Sequence, residues 1–390
     1  MDVRITPALL NGSVTPPPSK SMAHRAILAM LLAEGEGAIS NPAESQDIEA
    51  TRRCAAALKA DGPDPPLLDC GESGSTLRFL LPVALALRGG GRFTGQGRLM
   101  ERPQRPYFDI FDEKGVCYEH KDGFLTVRGR LTPGEYCLPG NVSSQFVTGL
   151  LYALPLLEGD SEIVLTSPLE SRGYVDMTLE TLKQFGVTAE NRNYERFIVP
   201  GGQSFQARDV SIEADWSQAA FWLTAGALGN PVQTTGLNEH STQGDRIIRT
   251  HIDRLTRETG GTVEIDVSDC PDLLPPLAVL SAFHSGTVRL ANAARLRFKE
   301  SDRLSTAARL IAGLGGQAEE GPDSLTVSGT RLLDGGAVDG ANDHRIVMAA
   351  AIAATRCAGP VTILGAEAVR KSYPDFWDDY RRLGGKFDVL

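Results

Sequence analysis

The sequence predicts an α/β protein of two similar halves, each built from repeats in which one helix is buried and one is exposed. Three observations carry that expectation. Six apolar runs opening on Ser or Asp recur along the chain, short strand-like stretches alternate with them, and 390 residues suit two domains better than one core.

Taken in order, the runs are SKSMAHRAILAMLLAEG from Ser19, SGSTLRFLLPVALALRGG from Ser73, SSQFVTGLLYALPLLEG from Ser143, DWSQAAFWLTAGALG from Asp215, DLLPPLAVLSAFHSG from Asp272 and DHRIVMAAAIAATRCAG from Asp343. Their starts lie 54 to 72 residues apart, a period near 65. Ser or Asp at the front suits an N-cap, the Ala- and Leu-rich interior suits helix, and Gly at the rear suits a C-cap. Runs apolar nearly all round are buried helices, and none approaches the roughly 18 apolar residues of a membrane span. Residues 163–166, 210–213, 263–267 and 287–290 read as strands, while LETLKQFGV, IIRTHIDRLTRETGG and RLSTAARLIAGLGG read as amphipathic outer helices with a Gly stop. Each unit is thus roughly β-α-β-α-β, three to a half.

Composition narrows the function classes. Lys and Arg number 39 against 49 Asp and Glu, a net charge of −10 that argues against coating nucleic acid. With 42% hydrophobic and 23% charged residues the chain is neither disordered nor fibrous. The six cysteines lack metal or redox spacing and read as reduced thiols. The opening MDVRITPALL has no signal-like stretch, so a cytoplasmic protein without membrane or nucleic-acid partners is expected. Without coiled-coil heptads, a monomer is the default.

A buried helix presents first-turn N–H groups and the positive end of its dipole, so several fronts at one cleft would attract phosphates or carboxylates. Those fronts carry Lys20, Ser21 and Arg25; Gly74, Ser75 and Arg78; Ser143, Ser144 and Gln145; and His344 and Arg345. PPPSKSMAHR lacks the phosphate-loop pattern, and no GxSxG, HExxH or GxGxxG motif appears, so metal and nucleotide chemistry lack support. His24 reads as an exposed or structural imidazole. RLRFKESDRL, leading into a helix expected near Ser305, is either solvated charge or a proton-transfer pair, Lys299 and Glu300, with Arg303 as anion clamp. Arg102 in LMERPQRP and Lys371 in KSYPDF read as loop cations at a cleft mouth or as plain surface charge. Asp272 is either a simple N-cap or a functional carboxylate.

SKSMAHRA, GESGSTLRF, ERPQRP, GNVSSQF, ESRGYVDMT, PDLLPPLAV, RFKESDRL, NDHRIVMA and KSYPDFW, in this order over nearly the whole chain, resemble the 5-enolpyruvylshikimate-3-phosphate synthases of the enolpyruvyl transferase family. The resemblance implies transfer of the enolpyruvyl group of phosphoenolpyruvate to the 5-hydroxyl of shikimate 3-phosphate, with release of phosphate and no cofactor. It implies one domain of residues 20–212 and another of 1–19 plus 213–390. Each would hold three β-α-β-α-β-β repeats as an inside-out α/β barrel, with the active site in the cleft between them.

Carried over by motif, Lys20 contacts both substrates. Ser21, Arg25, Ser143, Ser144, Ser171 and Tyr174 hold shikimate 3-phosphate, and Gln145 reaches towards phosphoenolpyruvate. Gly74, Arg102, Arg303, Arg345 and Lys371 form the phosphoenolpyruvate site. Asp272 grips the ring hydroxyls and takes the 5-hydroxyl proton. Lys299, which also contacts shikimate 3-phosphate, and Glu300 match the pair beside the enolpyruvyl carbon, and Glu300 or Lys20 protonates carbon on the way to a tetrahedral intermediate.

Glu72, Phe79 and Arg295 depart from the usual family pattern and leave open the response to glyphosate, which the family binds in the phosphoenolpyruvate site. Two rival readings are weighed. A transferase acting on UDP-N-acetylglucosamine usually has Asn after the motif Lys and a Cys near Arg102; here Ser21 follows Lys20, GQGRLMERPQRP has no Cys, and Cys117, further on, reads as structural. A non-catalytic anion-binding relative would have no reason to keep the charged set complete.

Overall fold

The computed structural model of the chain describes residues 1–42, 44–61 and 64–390. The fold divides into two compact units, one of Lys20–Ile212 and one of Met1–Ser19 with Glu213–Leu390. Each has its own apolar core.

In the unit Lys20–Ile212 the described helices are α1 (Lys20–Leu32), α2 (Gln46–Lys59), α3 (Gly74–Arg88), α4 (Arg105–Lys114), α5 (Ser144–Ala153) and α6 (Arg172–Gln184). In the other they are α7 (Trp216–Ala227), α8 (Ile248–Arg257), α9 (Leu274–Ala282), α10 (Arg303–Gly313), α11 (His344–Ala354) and α12 (Phe376–Arg382). The odd-numbered helices match the six apolar runs. Every residue of α9 and of α11 is buried, whereas α8 buries only Ile248, His251 and Leu255, a one-sided stripe at spacings of three and four.

Two four-stranded sheets flank the helices of each unit. In the first unit the orders are 67–69, 90–94, 124–128, 117–121 and 190–192, 196–199, 161–165, 134–138. In the second they are 262–266, 287–291, 325–328, 317–320 and 336–339, 361–364, 3–6, 386–389. Each sheet contains one parallel pair, joined through a buried helix; three of them add a hairpin, whereas the sheet of 336–339 and 361–364 is completed by strands from the two ends of the sequence.

The third side of each unit is reduced, a departure from six equal repeats. It consists of Ala33–Glu34 with Phe205–Gln206 and Ile39–Ser40 with Val210–Ser211 in one unit, and of Gly12–Val14 with Val232–Thr234 in the other. Strands of two or three residues have too few ladder bonds to recruit further neighbours. Strand Val3–Thr6 alternates buried Val3 and Ile5 with exposed Arg4 and Thr6, and it pairs antiparallel with both Val361–Leu364 and Lys386–Val389.

Helix ends differ from the expectation more than helix fronts do. Ser73, Ser143, Asp215 and Asp343 cap α3, α5, α7 and α11 through their side chains. A left-handed Gly closes α3 at Gly89, and Gly229 follows α7. By contrast α1 runs straight into strand Ala33–Glu34, and α5 tightens into a 3-10 turn at Leu154–Leu156, so Gly35 and Gly159 lie beyond the helix ends they were expected to form. The helix after RLRFKESDRL begins at Arg303, two residues before Ser305, because Asp302 accepts the Ser305 amide and caps it.

Pro82 sits inside α3 and has no N–H to offer the carbonyl of Arg78, four residues back. The Tyr107 hydroxyl lies 2.8 Å from that carbonyl and 3.0 Å from the carbonyl of Phe146 in α5. Gly149 keeps α5 close, since a Cβ there would stand 2.6 Å from the same Arg78 carbonyl. Tyr107→Phe should therefore destabilise the protein by about 1–3 kcal/mol, the cost of an orphaned buried carbonyl. Denaturant unfolding checks this, and a change within error would assign the carbonyl another partner.

Candidate active site

The helix fronts of unit Lys20–Ile212 gather one charged set. Lys20, the first residue of α1, pairs with Asp47 in α2 at 2.8 Å. Arg25 is buried and donates from Nε to Thr178 (2.9 Å), from Nη1 to the Ser21 carbonyl (2.7 Å), and from Nη2 to the Tyr174 carbonyl (2.7 Å) and Thr148 (3.5 Å). Those contacts take four of a guanidinium's five N–H donors. Burial pulls its pKa down to about 10, still charged at neutral pH.

Ser171, in the left-handed conformation at φ 60°, starts α6 and turns Tyr174 towards α1. Phe79 is fully buried beneath these groups, its ring 5.4 Å from the Arg25 guanidinium and edge-on to the His24 ring. His24 is buried too, bonded to Thr51 at 2.7 Å, and its pKa is well below the usual range through burial and then the charges of Lys20 and Arg25. It is a structural imidazole.

Along α3 and α5, Arg78 donates from Nη1 to Gln145 (2.9 Å) and from Nη2 to the Pro103 carbonyl (3.0 Å). Gln145 in turn donates to Ser75 at 3.0 Å, so both ends of its amide are fixed. Ser143 caps α5 and Ser144 is its first residue. Arg102 follows the 3-10 turn Leu99–Glu101 and lies across Gly74: a Cβ at residue 74 would stand 2.7 Å from Arg102 Nη1 and 3.6 Å from Gln145 Oε1. Glu72 reaches the turn at Gly97, where a Cβ would stand 2.7 Å from its carboxylate.

The other unit builds a denser set. Asp272 does not cap a helix; it sits in the 3-10 turn Pro271–Leu273 that precedes α9. Its Oδ1 accepts from Arg303 (2.8 Å) and Lys299 (3.5 Å), and its Oδ2 accepts from Arg345 (2.8 Å). Arg303 also donates to Glu300 (2.6 Å) and to Asp343 (3.0 Å), which caps α11 through the Arg345 amide and accepts from Ser301. Three cations thus interleave with three carboxylates, and RLRFKESDRL is no solvated run.

Burial pulls the pKa of Arg303 down, but Asp343, Glu300 and Asp272 outweigh it and raise the pKa above the ordinary value. Burial also lowers the pKa of Lys299, with Asp272 opposing. Lys371 is buried rather than a surface charge, and it bonds the Asn342 carbonyl at 2.7 Å. Arg295 donates to the Ser268 carbonyl.

Asp47, Asp343 and Asp245 escape a linear reading. Asp47 and Asp343 lie 27 and 40 residues from the cations they hold. Asp245, buried and accepting from Ser217, is raised to about 7 by burial and then by Asp272, against Arg345. Cys54 and Cys70 meet in the core, where their mutual hydrogen bond and burial raise the Cys70 thiol. Cys117 is exposed. No group of three or more metal-ligating side chains occurs among the described residues, and no helix is long and apolar enough to cross a membrane.

The EPSP synthase family model, described as 3-phosphoshikimate 1-carboxyvinyltransferase, matches residues 5–380. The chain is 44% identical to the 3-phosphoshikimate 1-carboxyvinyltransferase of Clostridium novyi, covering 99% of this chain and 98% of that one. It is also 44% identical to that of Clostridium acetobutylicum, covering 98% and 97%. Among solved structures, EPSP synthase from Acinetobacter baumannii superposes with a TM-score of 0.79 at 22% identity over both whole chains. The enolpyruvyl transferase NikO from Streptomyces tendae superposes at 0.78 and 19% identity, covering 99% and 98%. At such identities these two show the shared fold.

The Asp245 carboxyl generates a pH prediction. Its folded pKa lies above the unfolded value of 3.8, so the folded state holds the proton more tightly. That contribution is full below pH 3.8 and is lost as pH rises through about 7. Relative to Asp245→Asn, the wild type should lose stability between about pH 4 and 7 and stay level above. Parallel melting curves would refute this if the two proteins kept a constant difference.

Proposed function

The chain belongs to the EPSP synthase family, and from that premise we propose how its side chains divide the work. The reaction is transfer of the enolpyruvyl group of phosphoenolpyruvate to shikimate 3-phosphate with release of phosphate, a step of aromatic amino-acid biosynthesis. The observation that supports the division best is the Asp272 carboxylate held between Arg303 and Arg345, 2.8 Å from each.

Ser21, Arg25, Ser143, Ser144, Ser171 and Tyr174 hold shikimate 3-phosphate, Arg25 with its remaining Nη1 donor, and Gln145 extends that set towards phosphoenolpyruvate. Lys20 serves both substrates, its charge balanced at rest by Asp47. Gly74 leaves Arg102 the space it occupies, and Arg102 with Arg303, Arg345 and Lys371 takes the phosphate and carboxylate of phosphoenolpyruvate.

Arg303 and Arg345 offer N–H groups to a carboxylate, and Asp272 occupies them at rest. An incoming substrate carboxylate displaces it. Asp272, released, accepts the 5-hydroxyl proton with Lys299 alongside, and Glu300 or Lys20 delivers a proton to the methylene carbon. C2 becomes cation-like and the hydroxyl oxygen bonds to it; the tetrahedral intermediate then loses phosphate from C2 and a proton from the methyl carbon, and the double bond re-forms. We place this activity on a monomer in the cytoplasm. The UDP-N-acetylglucosamine reading is not favoured, since the family and the named relatives point to the shikimate substrate.

Purified protein given phosphoenolpyruvate and shikimate 3-phosphate should release phosphate, with no release when UDP-N-acetylglucosamine is the acceptor. Release only with the nucleotide sugar would overturn the assignment. Asp272→Asn should lower turnover by about 10²–10⁴-fold, the usual cost of a lost general base. The same variant should bind phosphoenolpyruvate more tightly than wild type in titration calorimetry, because the resident carboxylate no longer competes. Weaker binding would mean that Asp272 does not occupy the substrate's place.

A further inference from the structure

Lys299 and Glu300 stand on a segment that apolar packing does not hold. Leu296 and Leu304 are fully buried, but between them lie the half-exposed Arg297, Lys299, Glu300 and Asp302, the exposed Phe298, and the buried polar residues Ser301 and Arg303. No buried apolar side chain anchors residues 297–303. Polar bonds hold the segment instead. Downstream of the pair, Ser301 donates to Asp343 and lies 3.0 Å from Thr306.

Upstream, the load falls on one guanidinium. Arg297 donates from Nη1 to Asp302 (3.0 Å) and Glu320 (2.5 Å), from Nη2 to the Gly321 carbonyl (2.7 Å), and from Nε to the Pro322 carbonyl (3.2 Å). Glu320 ends the first strand of the hairpin Gln317–Ser328, Gly321 and Pro322 open its turn, and Asp302 is the cap of α10. Arg297 therefore ties the end of that hairpin to the cap that fixes the first residue of α10, Arg303, with Lys299 and Glu300 on the stretch between.

We propose that Arg297 is a positioning residue for the reaction, setting the place of Lys299, Glu300 and Arg303 through its clamp on Asp302 and on residues 320–322 at the end of the hairpin. The inference rests on the roles given above to Lys299 and Glu300. Arg297 itself touches neither, so it acts through backbone placement. A lysine keeps the charge but cannot span carboxylates and carbonyls on two sides as a planar fork does. Displacing reacting groups by about 1 Å costs about 10²-fold in rate.

The test compares wild type with Arg297→Lys, Arg297→Ala and Glu320→Gln in the coupled phosphate-release assay. The expected result is a graded fall in kcat, about 100-fold for Ala, about tenfold for Lys and less for Gln, with a smaller rise in KM for phosphoenolpyruvate as Arg303 shifts. The pH at which kcat is half-maximal should move in the same order, because Glu300 and Lys299 lose their fixed distances to Arg303 and Asp272.

A loss of folded protein would lower the apparent kcat without moving that pH, so an unmoved pH profile, or kcat falling only with the folded fraction in a melting curve, overturns the proposal. If the Ala variant does not fold, the Lys and Glu320→Gln variants decide on the same criteria. Wild-type protein without activity on both substrates would instead overturn the functional reading beneath it.

Discussion

A helix that is apolar on every side can be buried only if its first-turn N–H groups find acceptors, and this requirement shapes both units. Ser73, Ser143, Asp215 and Asp343 meet it from their own side chains. Because caps are polar and sit at the ends of buried helices, they bring polar chemistry to places the core would otherwise exclude. Asp343 shows the consequence: one fully buried carboxylate caps α11, accepts from Ser301 and holds Arg303. The demand for a helix cap and the demand for a fixed cation are met by the same two oxygens.

Charge balance is the second theme. The buried Arg303 and Arg345, with the half-exposed Lys299 beside them, would be costly without Asp272, Glu300 and Asp343. Balancing the cations internally keeps Arg303 and Arg345 charged although both are buried.

What was legible in the sequence follows from how local each signal is. Helix fronts could be read because a cap lies within three residues of the amide it serves, as with Ser73 and Thr76. Helix ends were read less well: Gly35 and Gly159 follow their helices in sequence, but the chain had already turned into a strand or a 3-10 turn. The charged residues of RLRFKESDRL could be seen, yet not whether they were solvated, because that depends on Asp272 and Asp343 arriving from 27 to 40 residues away. Asp47, Asp245 and the Arg297 clamp had no local pattern, and only the tertiary fold brings their partners near.

The insertion of strand Val3–Thr6 between Val361–Leu364 and Lys386–Val389 also sets a schedule for synthesis. Residues 20–212 are contiguous and complete their own core as soon as they leave the ribosome. The opening strand emerges before them and has no ladder to join until residues 361–389 have been made. At about 5–20 residues per second that wait is on the order of tens of seconds. Val3 and Ile5, buried in the finished sheet, go without their ladder partners for all of that time.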